Sequence, residues 1–411
     1  MLAAMSAESP TRPWASPARV WRDLSPLIAT NGLIGLIFAA TGPVAVILSV
    51  GAAGRLPEPV IASWIFGVFF LNGLLTIAFS TRWRMPMVFF WTIPGSVLVG
   101  AALQHLSFAE VVGAYIATGV LLVVLGASGW ARRAMQAVPM PIVMGMVAGV
   151  FLKFGTGLVT AVRDDLVVAL PMVLAFLALS ARPQWARRAP PLIVALLVGV
   201  ATIVLTGRLD APADVGGPVF AAPVWQMPQW SLPAMIELVV PLAITVLAAQ
   251  NGQGFAVLAQ AGHAAPISAV TVGCGAMSVA TAFVGGVSSC LTGPTNALVV
   301  SGGERERHYT GAVVCGVLAV AFGLLAPLVT RWMLATPPVF IAALAGLAML
   351  RVLQGAFVTA FRDRHALGAL VAFLVTVADV SIAHIGAPFW GLAFGLLVSR
   401  LLEPGDFEAA R

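Results

Sequence analysis

Residues 87–96 read Met87-Val88-Phe89-Phe90-Trp91-Thr92-Ile93-Pro94-Gly95-Ser96, and residues 285–296 read Gly285-Gly286-Val287-Ser288-Ser289-Cys290-Leu291-Thr292-Gly293-Pro294-Thr295-Asn296. Each begins as a short run of β-branched, aromatic or hydroxyl-bearing residues and then meets a Pro–Gly or Gly–Pro break that can open a helix. Each is too short on one side of its break to cross a bilayer as a helix. They stand about 200 residues apart. Paired interrupted spans in corresponding places are a pointer to the substrate site of a transporter.

The chain around these stretches is made for a membrane. Of 411 residues, 60% are hydrophobic and 9% charged, with a mean hydropathy of +0.99. A soluble domain carries roughly 25% charged residues, so most of this surface cannot face water. Apolar runs lie near 25–50, 58–80, 85–103, 108–129, 139–161, 166–181 and 190–206. After a polar, Pro-rich segment they resume near 233–260, 265–284, 288–301, 309–330, 337–354, 366–385 and 387–402. At about 30 residues per span and connection, fourteen spans fit the length. A soluble enzyme, a nucleic-acid binder and a disordered chain are excluded; the pI near 10.2 comes from arginines spread through short loops.

Charge sets the sidedness. With the amino terminus in the cytoplasm, seventeen arginines fall on the inner side and only Arg55, Arg163, Arg208 and Arg331 on the outer. That bias fits the positive-inside rule. The layout is then a cytoplasmic tail (1–24), seven spans (25–206), an outer linker (207–232), seven more spans (233–403) and a second cytoplasmic tail (404–411). An odd number of spans in each half makes the second half enter the membrane inverted, so the halves can form an inverted repeat.

A helix that starts halfway across a bilayer exposes backbone N–H groups and the positive end of its dipole. Pro94, Gly95 and Ser96 open such a helix in the third span, and Thr292, Gly293 and Asn296 in the tenth. Facing one another, the two starts would make a positively polarised pocket without a formal charge, suited to a carboxylate or similar anion. The plainer reading is a pair of packing kinks. In the eighth span, Ala248-Ala249-Gln250-Asn251-Gly252-Gln253-Gly254 buries three amides that need partners. Gln250 and Asn251 either recognise substrate or bridge helices. The first span has a break of its own at Thr41-Gly42-Pro43, preceded by Phe38.

Acids inside the spans are few. Glu237 in the eighth span and Asp379 in the thirteenth are the candidates for carrying a proton. Glu237 lies thirteen residues from Gln250, about 20 Å along a helix, too far to share a ligand. Asp379 has a structural hydrogen bond as its alternative role, and Lys153 in the fifth span either snorkels or pairs with a carboxylate. Cys274, Cys290 and Cys315 sit in apolar stretches and read as packing residues. No His/Asp/Glu cluster stands at metal or catalytic spacing, so no metal, cofactor or enzymatic activity is expected.

The FFWTIPG segment (89–95), the AAQNGQG segment (248–254) and the GGVSSCLTGPTNA segment (285–297), in that order, resemble the benzoate/proton symporter family, and the resemblance covers nearly the whole chain. That family is similar in turn to the nucleobase/ascorbate and sulfate-type anion transporters. The resemblance implies an all-α polytopic membrane protein of fourteen spans in two inverted seven-helix repeats, with short β-strands leading into the third and tenth helices. Spans 1–4 and 8–11 would form a mobile core, and spans 5–7 and 12–14 a gate that can dimerise. It implies a secondary transporter of a bacterial inner membrane, importing benzoate or a related aromatic carboxylate with a proton by alternating access. Nucleobase members bind ring N–H groups with acids in the eighth and tenth spans, where Gln250, Asn251 and Asn296 are neutral; an amide can donate to an anion. An aromatic ring needs apolar walls, for which Phe38, Phe90 and Trp91 are candidates, with Phe255 a further one. A nucleobase or other anion carrier on the same fold, and an uncoupled anion channel, stay open.

Overall fold

The computed structural model describes residues 13–136, 138–182, 184, 190–209, 217–379, 382 and 385–408. Parts of the expected tails (1–12 and 409–411) and of the linker (210–216) lie outside them, as do Arg187 and Arg188 of the charge count.

Among the described residues, seven helical stretches are long and apolar enough to cross a bilayer: Pro26–Ala53, Glu58–Trp83, Phe108–Ala127, Met140–Asp164, Leu232–Gln260, Arg305–Leu324 and Pro338–Phe361. Between and after them stand the shorter apolar helices Ile93–Ala102, Leu166–Ser180, Pro191–Leu205, Ile267–Ala282, Ala366–Ala378 and Ala387–Leu402, and the seven-residue helix Gly293–Val299. Each lies in one of the apolar runs read from the sequence. The first run breaks where Gly–Pro foretells it: a helix ends at Ala40, Thr41 leaves helical geometry at φ −99° and ψ −93°, and a new helix runs from Gly42.

π-helical turns at Gly67–Leu71, Met235–Val239 and Thr245–Asn251 were not legible in the periodicity. A π turn lets an extra residue into the helix and rotates everything beyond it. The thirteenth run also ends earlier than expected. Its helix stops at Ala378, and Asp379 turns left-handed at φ 55°, a conformation Asp tolerates. Asp379 is therefore not a buried acid of a span: its side chain is 53% exposed and paired with Lys153 at 2.7 Å.

The two interrupted stretches meet. β1 (Phe89–Trp91) and β2 (Ser289–Leu291) pair antiparallel, with Phe89 opposite Leu291, Phe90 opposite Cys290 and Trp91 opposite Ser289. The pairing continues one residue beyond each strand, where the Thr92 N–H donates to the Ser288 carbonyl at 3.0 Å and the Thr292 N–H to the Val88 carbonyl at 3.2 Å. A two-stranded ribbon buried among helices leaves unpaired peptide groups on both outer edges, which an apolar interior does not tolerate. Neighbouring helices supply the partners. The Thr76 hydroxyl accepts from Phe89 N–H at 2.9 Å, Ser278 from Ser289 N–H at 2.9 Å, and Asn251 Oδ1 from Leu291 N–H at 2.7 Å.

The described part of the linker is a strap. Ala221 N–H donates to the Leu324 carbonyl, Gln226 N–H to Phe283 and Gln229 N–H to Ala109, while the Ser63 hydroxyl accepts from Val224 N–H at 2.9 Å and Arg331 donates to Gly217 and Pro218. This linker end carries Arg208, paired with Asp165, and Glu58, facing Arg331. At the opposite, arginine-rich end Arg84 donates to the Pro13 carbonyl, Arg82 lies over the Trp14 ring and the Tyr309 hydroxyl donates to Asp23.

Candidate functional site

Both short helices start immediately after the ribbon, and both are capped alike. Thr92 accepts from Gly95 N–H through its side chain, and Thr292 accepts from Thr295 N–H. Pro94 and Pro294, second in each helix, have no N–H to satisfy. The amide groups of Ile93 and Gly293, the first residue of each helix, stand outside the caps' hydrogen bonds. Two helix N-termini thus converge across an antiparallel ribbon, each presenting the positive end of its dipole.

A small cavity lies at this convergence, lined by Phe38, Ala39, Pro43, Phe90, Trp91, Ile93, Gln250, Thr292, Pro294 and Thr295. Its space open to the centre of a water molecule is about 20 Å³, room for about one water. Aromatic rings form much of its wall. Phe69 backs both Phe90 and Trp91, with ring centroids 5.3 and 5.2 Å away, and Phe322 packs on Phe69 at 4.5 Å. No acidic side chain lines it. The Trp91 indole Nε1–H is buried without an acceptor, a condition that costs free energy and calls for a function. Gln250, 8% exposed, borders the same space from the π turn.

Of the residues singled out in the sequence, Phe38, Trp91, Gln250 and Thr292 come together here, and Phe90 joins them as a wall. The others stand behind the site. Thr41 turns its hydroxyl back to the Ile37 and Phe38 carbonyls at 2.9 and 3.1 Å, and Ser96, fully buried, donates to the Thr92 carbonyl at 3.2 Å. Gly95 and Gly293 admit close neighbours, the Leu242 and Gln253 side chains. Pro94 contributes its missing donor. Phe255 packs in a separate cluster with Leu258 and Met135.

Asn251 and Asn296 contact the ribbon. Both are fully buried, and both serve the ribbon. Asn251 holds Leu291 N–H and directs its Nδ2 at the Cys274 sulfur, 3.9 Å away; Asn296 holds both backbone groups of Val88. In an apolar interior the two free edges of the ribbon compete with any ligand for these amides, and the edges have them. Adjacent residues of a helix point about 100° apart, so Gln250 borders the cavity while Asn251 reaches β2. Gly254 closes on the Leu291 carbonyl so tightly that a Cβ would overlap it. The three cysteines are buried and free. The cavity-lining residues that sequence reasoning passed over are Ala39, Pro43, Ile93 and Pro294; the Gly42–Pro43 and Gly293–Pro294 repeats carried that signal.

Glu237, 5% exposed, is hydrogen-bonded to His105 Nε2 at 2.9 Å. It sits near the linker end and packs against the Gly386 backbone, where a Cβ would overlap its carboxylate. Gly386 is the N-cap of the Ala387–Leu402 helix, so the carboxylate bridges two parts of the molecule at a helix start. The His365, Glu403 and Asp406 group could geometrically hold a metal ion. Its carboxylates are already engaged, accepting from the N–H groups of His365, Leu367 and Gly368 at the start of the Ala366–Ala378 helix.

Comparison with known proteins places this architecture. The family model described as benzoate membrane transport protein matches residues 22–401. The chain belongs to the benzoate membrane transport protein family. Among members, the inner membrane protein YdcO of Escherichia coli (strain K12) is 28% identical over 378 residues, 91% of this chain and 95% of that one. The benzoate membrane transport protein of Acinetobacter baylyi is 27% identical over 390 residues, 92% of this chain and 95% of that one. The fold is that of known anion transporters. The transmembrane domain of the cyanobacterial bicarbonate transporter BicA aligns with a TM-score of 0.57 at 19% identity, covering 90% of this chain and 97% of that one. SLC26A9 aligns at 0.62 and 14% identity over 90% of this chain, which spans 64% of that longer one. A family of membrane transporters accounts for a chain that is almost wholly apolar helix around a ribbon and two capped helix starts.

Proposed function

We propose that the chain is a secondary transporter of a bacterial inner membrane that imports benzoate or a related aromatic carboxylate together with a proton. The observation that carries this reading is the cavity itself: two helix N-termini and a neutral amide meet among Phe38, Phe90 and Trp91, with no carboxylate to repel an anion. The substrate carboxylate would take hydrogen bonds from Gln250, from the helix starts and from the unused Trp91 Nε1–H, while its ring lies against the aromatic wall. At about 20 Å³ the cavity is smaller than such a substrate, so loading requires the two parts of the protein to separate, as alternating access demands.

The finer architecture belongs to this proposal: fourteen membrane segments in two inverted repeats, spans 1–4 and 8–11 as the moving core, spans 5–7 and 12–14 as a gate that can form a homodimer, and both termini in the cytoplasm. The matched caps of Thr92 and Thr292 and the symmetric register of the ribbon support it. For the coupled proton, Glu237 is the stronger of the two sequence candidates. It is buried, paired with a titratable imidazole and pressed against Gly386, whereas Asp379 is exposed and held by Lys153.

Exchange of labelled for unlabelled benzoate in proteoliposomes tests the substrate. Exchange that unlabelled benzoate drives, and that uracil and bicarbonate do not inhibit, is the expected result. A second reading, a small inorganic anion as substrate, is favoured by the small volume and by the fold shared with BicA. Inhibition by bicarbonate without inhibition by benzoate would establish it instead.

A further inference from the structure

A second, larger cavity of about 400 Å³ opens near the linker end. One side is formed by the Gly42–Ala53 and Ile93–Ala102 helices, through residues such as Val50 and Val97. The other is formed by the Met140–Asp164 helix, through Val150, Lys153 and Phe154, and by Asp379. It is bordered by two of the helices that also border the ring-lined cavity. Pro43 and Ile93 border that site, while Ser49 and Val97 border the larger cavity. They follow by six and four residues along the same helices, about 9 Å and about 6 Å at the helical rise.

We propose that this vestibule is an anion-capture site, in which the Lys153 ammonium exchanges the Asp379 carboxylate for that of an incoming monocarboxylate with an apolar body. The proposal rests on the transporter reading above and adds a second binding station to it. Three observations converge. Lys153 Nζ lies 2.7 Å from Asp379 Oδ2, but the two side chains are 58% and 53% exposed, and an ion pair so open to water is weak enough for a second carboxylate to replace. The walls beside it are apolar, with Phe154 one residue from the ammonium's own position and Val150 one turn before it. Lys153 is also the single lysine among 22 basic residues. A lysine offers a compact, mobile charge that can hand a carboxylate on, where an arginine would clamp it with a planar fork.

Because the chain has one lysine, chemistry can read its occupancy. The full-length protein in proteoliposomes is treated with a membrane-impermeant amine-reactive ester, and modification of Lys153 is quantified by peptide mass, separately from the amino terminus. Benzoate should slow modification about tenfold at ten times its half-protecting concentration, as simple occupancy requires. Acetate should protect less, and chloride at equal ionic strength not at all. In uptake, Lys153→Gln should raise the half-saturating benzoate concentration about tenfold while retaining the maximal rate, and Lys153→Arg should fall between it and the parent protein. Uptake of benzoate without protection of Lys153, or a Lys153 that the reagent cannot reach, overturns the capture site and leaves the transporter reading intact. Protection without any uptake supports the capture site and overturns that reading.

Discussion

Asn296 holds Val88 by both ends of its side-chain amide, donating from Nδ2 to the Val88 carbonyl and accepting at Oδ1 from the Val88 N–H, each at 3.0 Å. The two residues are 208 positions apart, and the contact imitates one more rung of the ribbon. It extends β1 beyond its last partner in β2 and joins the two halves of the chain at the start of the Gly293–Val299 helix. The same Nδ2 also donates to the Thr292 carbonyl at 2.6 Å, so the amide joins the cap of one helix to the entry of the strand that precedes the other.

Replacing Asn296 by Ala should therefore be a stability lesion before it is a transport lesion. It strands the buried Val88 N–H, while the Val88 carbonyl keeps the Thr292 N–H, at a cost of about 1–3 kcal/mol for an unsatisfied group. The expected outcome is a lower melting temperature of the purified protein in detergent and reduced yield. Unchanged melting together with lost substrate binding would return Asn296 to the substrate.

Gln250 should behave in the opposite way. Gln250→Ala removes a donor from the cavity while leaving the ribbon untouched, so melting should be retained. Benzoate uptake at subsaturating concentration should fall about tenfold, the equivalent of about 1.4 kcal/mol. Gln250→Glu places a negative charge opposite an anion and should lower uptake further. Parent-level kinetics in both variants would remove Gln250 from the site.

The contrast between these neighbours marks how far the sequence is legible. The order of apolar runs, the break at Thr41–Pro43 and the two Pro–Gly stretches follow from hydropathy and backbone chemistry alone, and the structure has helices and breaks in those places. The convergence of Phe38, Trp91, Gln250 and Thr292 was readable because Gly–Pro helix starts are few in this chain and occur as a pair. What stayed hidden depends on contacts. A buried amide looks the same in sequence whether it serves a ligand or a strand edge, and only the ribbon's open edges tell Asn251 and Asn296 from Gln250. The π turn that carries Gln250 and Asn251 leaves no trace in a 3.6-residue pattern. Asp379 looks buried in an apolar run until the helix is seen to stop one residue before it.

Glu237→Gln tests the proton route. With the carboxylate neutral, benzoate exchange at equal pH on both sides should persist, while uphill accumulation driven by a pH gradient should be lost. His105→Gln should weaken the gradient response as well, since it removes the partner at 2.9 Å. Accumulation at the parent level in Glu237→Gln would transfer the role to another group.

At the arginine-rich end, His263 Nε2 and His308 Nδ1 are 3.2 Å apart. His308 Nε2 donates to the Gly303 carbonyl, which leaves its Nδ1 to accept from His263. Burial, then His308 and Arg305, push His263 down to about 4, so the fold holds it neutral. The unfolded chain takes up this proton below about 6.5 and the folded one only near 4, so stability should fall as pH drops through that interval and stay level above it. Melting temperature measured from pH 8 to pH 4 should show this slope, and His263→Gln should flatten it. An equal slope in the variant would assign the acid sensitivity elsewhere.

The most direct test of the central claim is uptake of radiolabelled benzoate by proteoliposomes carrying an imposed inward proton gradient, with protein-free liposomes to account for diffusion of the free acid. The expected result is protein-dependent accumulation above equilibrium that a protonophore abolishes and Gln250→Ala diminishes. Protein-dependent uptake that never exceeds equilibrium, or no uptake by verified folded protein, would contradict proton-coupled benzoate import through this cavity.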